Sequence, residues 1–216
     1  MKTIRLYEWR GLVRAVASLV PLSPGTRWLD FGCGTGGLVR HCREVSGTDA
    51  LGFEQGEAAR LARAAGTPLI GESELEDASG SFDVVTAIEV LEHLVDPLAV
   101  LAQIRRLLAP GGLFLITTGN AALYRNHLDR WRYVVPEIHV GFFEPQTVSV
   151  AFRKTGFEPD LRGFLPGFED VIRFKVLKNL GRKRRSRLEA LVPWRAVSRL
   201  VDRRFGVTAH PIGWAS

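Results

Sequence analysis

Apolar positions recur at helical spacing near the start of the chain. Leu12, Val13, Val16, Ala17, Leu19 and Val20 mark a helix over Tyr7 to Val20, which Pro21 and Pro24 end. The short apolar run from Arg27 to Phe31 reads as a buried strand, and the amphipathic stretch Gly37 to Glu44 behind it as a helix. The alternation repeats. Strand Ala50 to Phe53 precedes helix Glu57 to Ala65, which Gly66 closes, and Pro68 to Ile70 forms a third, short strand. The β-branched run Ser81 to Ile88 is a fourth strand, followed by a helical pattern from Glu89 to Leu94. Asp96-Pro97 opens a helix over Leu98 to Leu108, the turn Ala109 to Gly112 closes it, and Leu113 to Thr117 is the fifth strand. Such alternation predicts the α/β class: one Rossmann-like, doubly wound, mostly parallel sheet with helices on both faces.

The periodicity fails from Gly119 to Phe143, an aromatic and polar stretch holding Tyr124, Trp131, Tyr133, His139, Phe142 and Phe143. A helix over Gln146 to Thr155 and a strand within Phe157 to Phe164 follow, then partial helical periodicity over Val171 to Leu180 and Leu188 to Phe205. The chain thus divides into a leading helix (1–25), a core (26–165) with an insertion at 119–143, and a basic, partly helical extension (166–216). At 216 residues, 46% hydrophobic and 24% charged, it has the size and composition of one ordinary domain with additions. Its apolar runs fall short of the roughly 20 residues that span a bilayer, and no secretory leader is expected, so a cytoplasmic protein is expected. Cys33 and Cys42 have neither disulfide nor zinc spacing and read as small packing residues.

Charge changes this picture in one place. Residues 1–152 carry 14 basic and 17 acidic side chains, net −3, whereas 153–216 carry 15 and 6, net +9. A local positive field attracts phosphates or acidic lipid. The run Gly181 to Arg187, GRKRRSR, is not interleaved with aromatics, so peripheral membrane contact through 171–205 is favoured over nucleic acid.

The chemistry starts at LDFGCGTGG. Gly32, Gly34 and Gly36 lie between a strand and a helix, where residues without Cβ let the backbone turn sharply and approach a ligand, and the helix offers free N–H groups. Glu54 ends the second strand, placed to accept hydrogen bonds from ribose hydroxyls. These features suit NAD and S-adenosylmethionine alike. The order of LDFGCGTGG at 29–37, LGFE at 51–54, SFDVVTAIEVLEHL at 81–94 and LLAPGGLFLITTGN at 107–120 resembles the class I S-adenosylmethionine-dependent methyltransferases. The likeness covers 26–158 and is nearest the ubiquinone-pathway O-methyltransferases and sugar or natural-product methyltransferases. It implies that Asp30 and the loop Gly32, Gly34, Gly36 hold the methionine end of the cofactor. By the same likeness Glu54 grips the ribose, Glu74 (or Glu72) lies near the adenine, and Glu89 faces the cofactor side.

Glu89, Glu92 and His93 stand at i, i+3 and i+4, one face of a helix, and His139 could complete a site for Mg2+ or another divalent cation. His139, in the segment where substrates should enter, is the first candidate for a base, and His93 the second. The expected activity is methyl transfer to a hydroxyl of a small molecule, a phenol, sugar or natural-product intermediate. The alternatives are an RNA methyltransferase using the basic tail and a non-catalytic cofactor-binding partner protein. Oligomeric state is not legible.

Overall fold

The computed structural model describes residues 3–162, 165–186, 189, 191–205 and 210–214. The chain divides into two compact units. One comprises 23–162 with 209–216, the other 1–22 with 163–208.

The larger unit is built on a six-stranded sheet of order β2-β1-β3-β4-β6-β5. Strands β1 (Arg27–Phe31), β2 (Asp49–Phe53), β3 (Phe82–Ile88) and β4 (Leu108–Thr117) pair in parallel, giving the α/β sheet that the alternation predicts. Their connections are helices α2 (Gly37–Ser46), α3 (Gly56–Ala64), α4 (Glu72–Asp77) and α5 (Pro97–Leu107); α6 (Pro145–Lys154) follows β4, and α1 lies in the other unit. Parallel strands at the centre of a sheet are covered on both faces, and their residues read accordingly: Trp28, Leu29, Val84, Val85, Phe114 and Leu115 are fully buried. Phe114, Phe152 and Phe157 meet with ring centroids 5.2 to 5.6 Å apart and fasten α6 to the sheet.

Three elements differ from expectation. The short strand at Pro68 to Ile70 is reduced to one bridge, Gly52 to Leu69, held by two hydrogen bonds to Gly52. Proline has no N–H to give, and the segment is confined between Gly66 and the start of α4 at Glu72. The helix read over Glu89 to Leu94 is only a 3-10 turn, Leu91–His93, because Glu89 has φ +55° and cannot continue a right-handed helix. The third is β6 (His210–Trp214), which lies antiparallel between β4 and β5 (Glu158–Arg162), so the stretch of the extension beyond the helical periodicity, given no strand in the sequence reading, belongs to the sheet.

The smaller unit packs α1 (Arg5–Ala17) on α7 (Phe168–Asn179), with α8 (Trp194–Phe205) against α7. Its polar centre is Glu189, buried, which accepts from Tyr7 Oη at 2.9 Å, Arg173 at 3.0 Å and the Ser186 N–H at 2.7 Å. Arg10 grips Asp170 through two bonds of 2.8 and 2.7 Å.

Candidate functional site

The carboxyl ends of β1, β3 and β4 lie side by side, the edge of an open α/β sheet where ligands bind. Asp30, near the end of β1, is buried and accepts a 2.8 Å bond from Thr86 Oγ1 on β3. Trp28 Nε1 donates to the same hydroxyl at 3.0 Å, so the one hydroxyl proton is directed to Asp30 and the carboxylate is fixed. The loop beyond it runs through left-handed backbone at Gly32, Gly34 and Gly36. A Cβ on Gly36 would overlap Thr67, and one on Gly32 would stand 2.6 Å from Val90 Cγ2; at Gly34 nothing lies within 4 Å. Gly32 and Gly36 are therefore packing requirements. Gly34 leaves an open cradle of the kind a ligand's carboxylate and amine can enter. Among the described residues no side chain caps α2, whose N-terminus directly follows this loop and leaves its first-turn N–H groups as donors an anion can use.

Glu54 joins this loop. Its carboxylate accepts the Gly34 N–H at 2.7 Å and the Gln55 N–H at 2.9 Å. Burial, and then the charges of Asp30 and Glu54, push the Cys33 thiol up to about 12, which keeps it a neutral packing group. Glu74 accepts the Gly71 N–H at 2.8 Å at the start of α4, while Glu72 hydrogen-bonds Gln55, beside Glu54. Of that acidic pair, Glu72 is the one tied to the glycine-loop region.

Across the edge, the remaining predicted residues form a second cluster. Glu89 accepts Thr117 Oγ1 at 2.9 Å, and its own N–H donates to the Thr117 carbonyl at 2.8 Å. Glu92 is fully buried and accepts Thr118 Oγ1 at 2.9 Å. The Tyr133 hydroxyl hydrogen-bonds Glu92 Oε1 and lies 3.2 Å from Glu89 Oε2. The turn does not place Glu89 on a helical face with Glu92 and His93; the Tyr133 hydroxyl is what links the two carboxylates. His93 Nδ1 stands 2.8 Å from the Ile138 carbonyl, and His139 Nδ1 hydrogen-bonds the Tyr133 carbonyl. A carbonyl only accepts, so both rings carry a proton on Nδ1, and the neutral ring in each case offers its lone pair on Nε2. Glu92, His93 and His139 each offer a ligand atom, all within 4.8 Å of one another. The His93 and His139 rings meet edge to face at 4.8 Å.

The insertion at 119–143 brings His139 here by clasping the turn: the N–H groups of Val140 and Gly141 both donate to the Glu92 carbonyl, at 2.8 and 3.0 Å. Tyr124, Trp131, Tyr133 and His139 stack in sequence at centroid separations of 5.1, 4.8 and 4.5 Å. Burial, then the Glu89 and Glu92 charges, raise the Tyr133 phenol far above its ordinary range, so it remains a neutral donor. Sequence reading named Tyr133 only as part of an aromatic stretch and missed its hydroxyl, along with Thr86, Thr117 and Thr118. Hydrogen bonds spanning 26 to 58 residues leave no periodic trace, although the doubled threonine at the end of a strand is a usable signal.

A family model described as a methyltransferase domain matches residues 1–161. Among curated relatives, the ubiquinone biosynthesis O-methyltransferase of Pseudomonas aeruginosa is 36% identical over 106 residues, 44% of this chain and 45% of that protein. The protein of the same name from Cereibacter sphaeroides is 33% identical over 159 residues, 65% of this chain and 64% of that one. The chain thus spans about half the length of the Pseudomonas relative. A chain from the complex of the Haloferax volcanii Trm112 methyltransferase activator superposes with TM-score 0.62 at 21% identity, covering 96% of this chain and 89% of that one. A Mesorhizobium loti S-adenosylmethionine-dependent methyltransferase superposes with TM-score 0.58 at 23% identity, covering 82% and 96%. At these identities the superpositions speak to fold alone. Matched over three quarters of its length by the family model, the chain belongs to the class I S-adenosylmethionine-dependent methyltransferases.

Proposed function

We propose that this chain transfers a methyl group from S-adenosylmethionine to a hydroxyl of a small molecule. The observation that carries the reading is the adjacency of a glycine cradle and a carboxylate–imidazole cluster on one sheet edge, with Gly32 packed against Val90, the neighbour of Glu89. Asp30 and the open position at Gly34 suit the ammonium and carboxylate of the donor's methionine end, and Glu54 suits a ribose. The donor is already an activated sulfonium, so the protein's share is alignment and proton removal. The acceptor oxygen bonds to the methyl carbon as the carbon–sulfur bond breaks, its electron pair staying on sulfur. The hydroxyl proton passes to the bare Nε2 of His139, with His93 beside it.

Glu92, His93 and His139 also fit a divalent cation. A buried carboxylate and two imidazoles whose Nδ1–H groups are anchored on carbonyls form the outer-shell pattern of metal-ligating histidines. A cation bound there would lower the pKa of the acceptor hydroxyl. Labelled adenosylmethionine offered with phenols, catechols, sugars and RNA tests the reading: label on a small hydroxyl compound supports it, and label on RNA alone, or binding without turnover on any acceptor, overturns it. Turnover that survives EDTA assigns proton removal to His139 without a cation.

A second reading concerns the smaller unit. It carries 16 Lys and Arg against 5 Asp and Glu, net +11, while the larger carries 13 and 18, net −5. Glu8, Asp170 and Glu189 are buried, and Glu169 pairs with Arg14. The exposed surface includes Arg182 to Arg185, Arg195 and Arg199, with Leu180, Leu191 and Leu200 at 70, 80 and 68% exposure. Cations interleaved with bare leucines suit an anionic lipid surface. No helix among the described residues is long and apolar enough to cross a membrane, so the contact would be peripheral. Salt-sensitive cosedimentation with phosphatidylglycerol vesicles, and none with phosphatidylcholine, is expected. Retention on RNA with no vesicle binding would replace this reading.

A further inference from the structure

Two carboxylates from one short segment, Glu89 and Glu92, converge on a single oxygen, and that oxygen belongs to a side chain of the insertion. A phenol has one proton to donate. The Tyr133 oxygen accepts the Gly119 N–H at 3.0 Å, is hydrogen-bonded to Glu92 Oε1, and stands 3.2 Å from Glu89 Oε2. One proton cannot serve both carboxylates at once. A point on which two carboxylate oxygens converge beside His93 and His139 suits a cation better than a neutral hydroxyl.

We propose that the Tyr133 hydroxyl is a built-in plug, holding the space between Glu89 and Glu92 until a divalent cation displaces it and draws Glu89 in beside Glu92, His93 and His139. The inference rests on the cation reading of this cluster and adds to it a residue that opposes loading.

The surroundings hold the plugged position without making the imidazole depend on the hydroxyl. The ring is held between Trp131 at 4.8 Å and His139 at 4.5 Å, which favours the plugged position. Glycine at 119 leaves the ring its room, since a Cβ there would overlap Tyr133 and stand 2.8 Å from Trp131 Cη2. His139 is oriented by the backbone carbonyl of Tyr133, not by its hydroxyl. Rotation of the Tyr133 side chain can therefore withdraw the phenol while the imidazole keeps its tautomer and aim.

Mn2+ binding to the whole chain, read from the free-ion paramagnetic resonance signal, tests this without any turnover. Tyr133→Phe keeps the stacked ring and removes the plug. Its Mn2+ affinity should rise roughly tenfold over the unsubstituted chain, the size of one or two lost hydrogen bonds. Equal or weaker affinity in Tyr133→Phe, with clear binding to the unsubstituted chain, overturns the plug and leaves the cation reading standing. No Mn2+ binding by either chain overturns both. A second measurement needs no substitution at 133: Mg2+ should change the tryptophan emission of the unsubstituted chain as the ring leaves Trp131, and the change should vanish in Trp131→Phe. Emission unaltered at Mg2+ levels that displace Mn2+ shows that the ring does not move, and so overturns the plug.

Discussion

The two halves of the site hold their carboxylates in different ways. On the proposed donor side, Glu54 is bound by two main-chain N–H groups and Asp30 by the hydroxyl of an adjacent central strand. On the proposed acceptor side, Glu89 and Glu92 are held by threonine hydroxyls and by a tyrosine more than 40 residues away in an irregular segment. Bonds from the short turns directly beyond two paired parallel strands, and from a central strand, persist as long as the sheet does. Side-chain bonds to a long loop persist only while the loop is docked. The proposed donor half is therefore a fixed cradle, and the proposed acceptor half a cluster that an incoming group can rearrange.

The contrast is broken most directly at Gly36. Gly36→Ala forces a side chain into a left-handed position and against Thr67, with an expected destabilisation on the order of 3 kcal/mol and loss of adenosylmethionine binding. Thermal unfolding and calorimetry read both effects, and unchanged values would show that the loop is not rigid. Next, Asp30→Ala and Glu54→Ala should each weaken adenosylmethionine binding by roughly 10- to 100-fold, the range for a hydrogen bond to a charged group. Wild-type affinity in both would remove the donor half of the model. His139→Ala should lower turnover by about 100-fold while calorimetry finds donor affinity unchanged. A parallel loss of donor affinity would mean that the halves are not separable. The smallest effect is at Cys33: with its thiol pushed up to about 12, alkylation by iodoacetamide at pH 8 should be much slower than for a free thiol, and fast labelling would show that the donor loop opens.

The sequence by itself determined the alternation of strands and helices, the glycine loop after the first strand, and Asp30 and Glu54 at strand ends. Each depends on a few neighbouring residues: hydrophobic period, turn chemistry, and the missing Cβ that a left-handed backbone requires. It also singled out Glu89, Glu92, His93 and His139, on residue type and on a helical spacing that the turn does not keep. Only the tertiary structure decided how they meet. Glu89 breaks the expected helix with its positive φ, Tyr133 links the two glutamates, and β6 enters the sheet beside β4 from the far end of the chain. These features depend on contacts between residues far apart in sequence, and a contact of that kind imposes no period on the residues that make it.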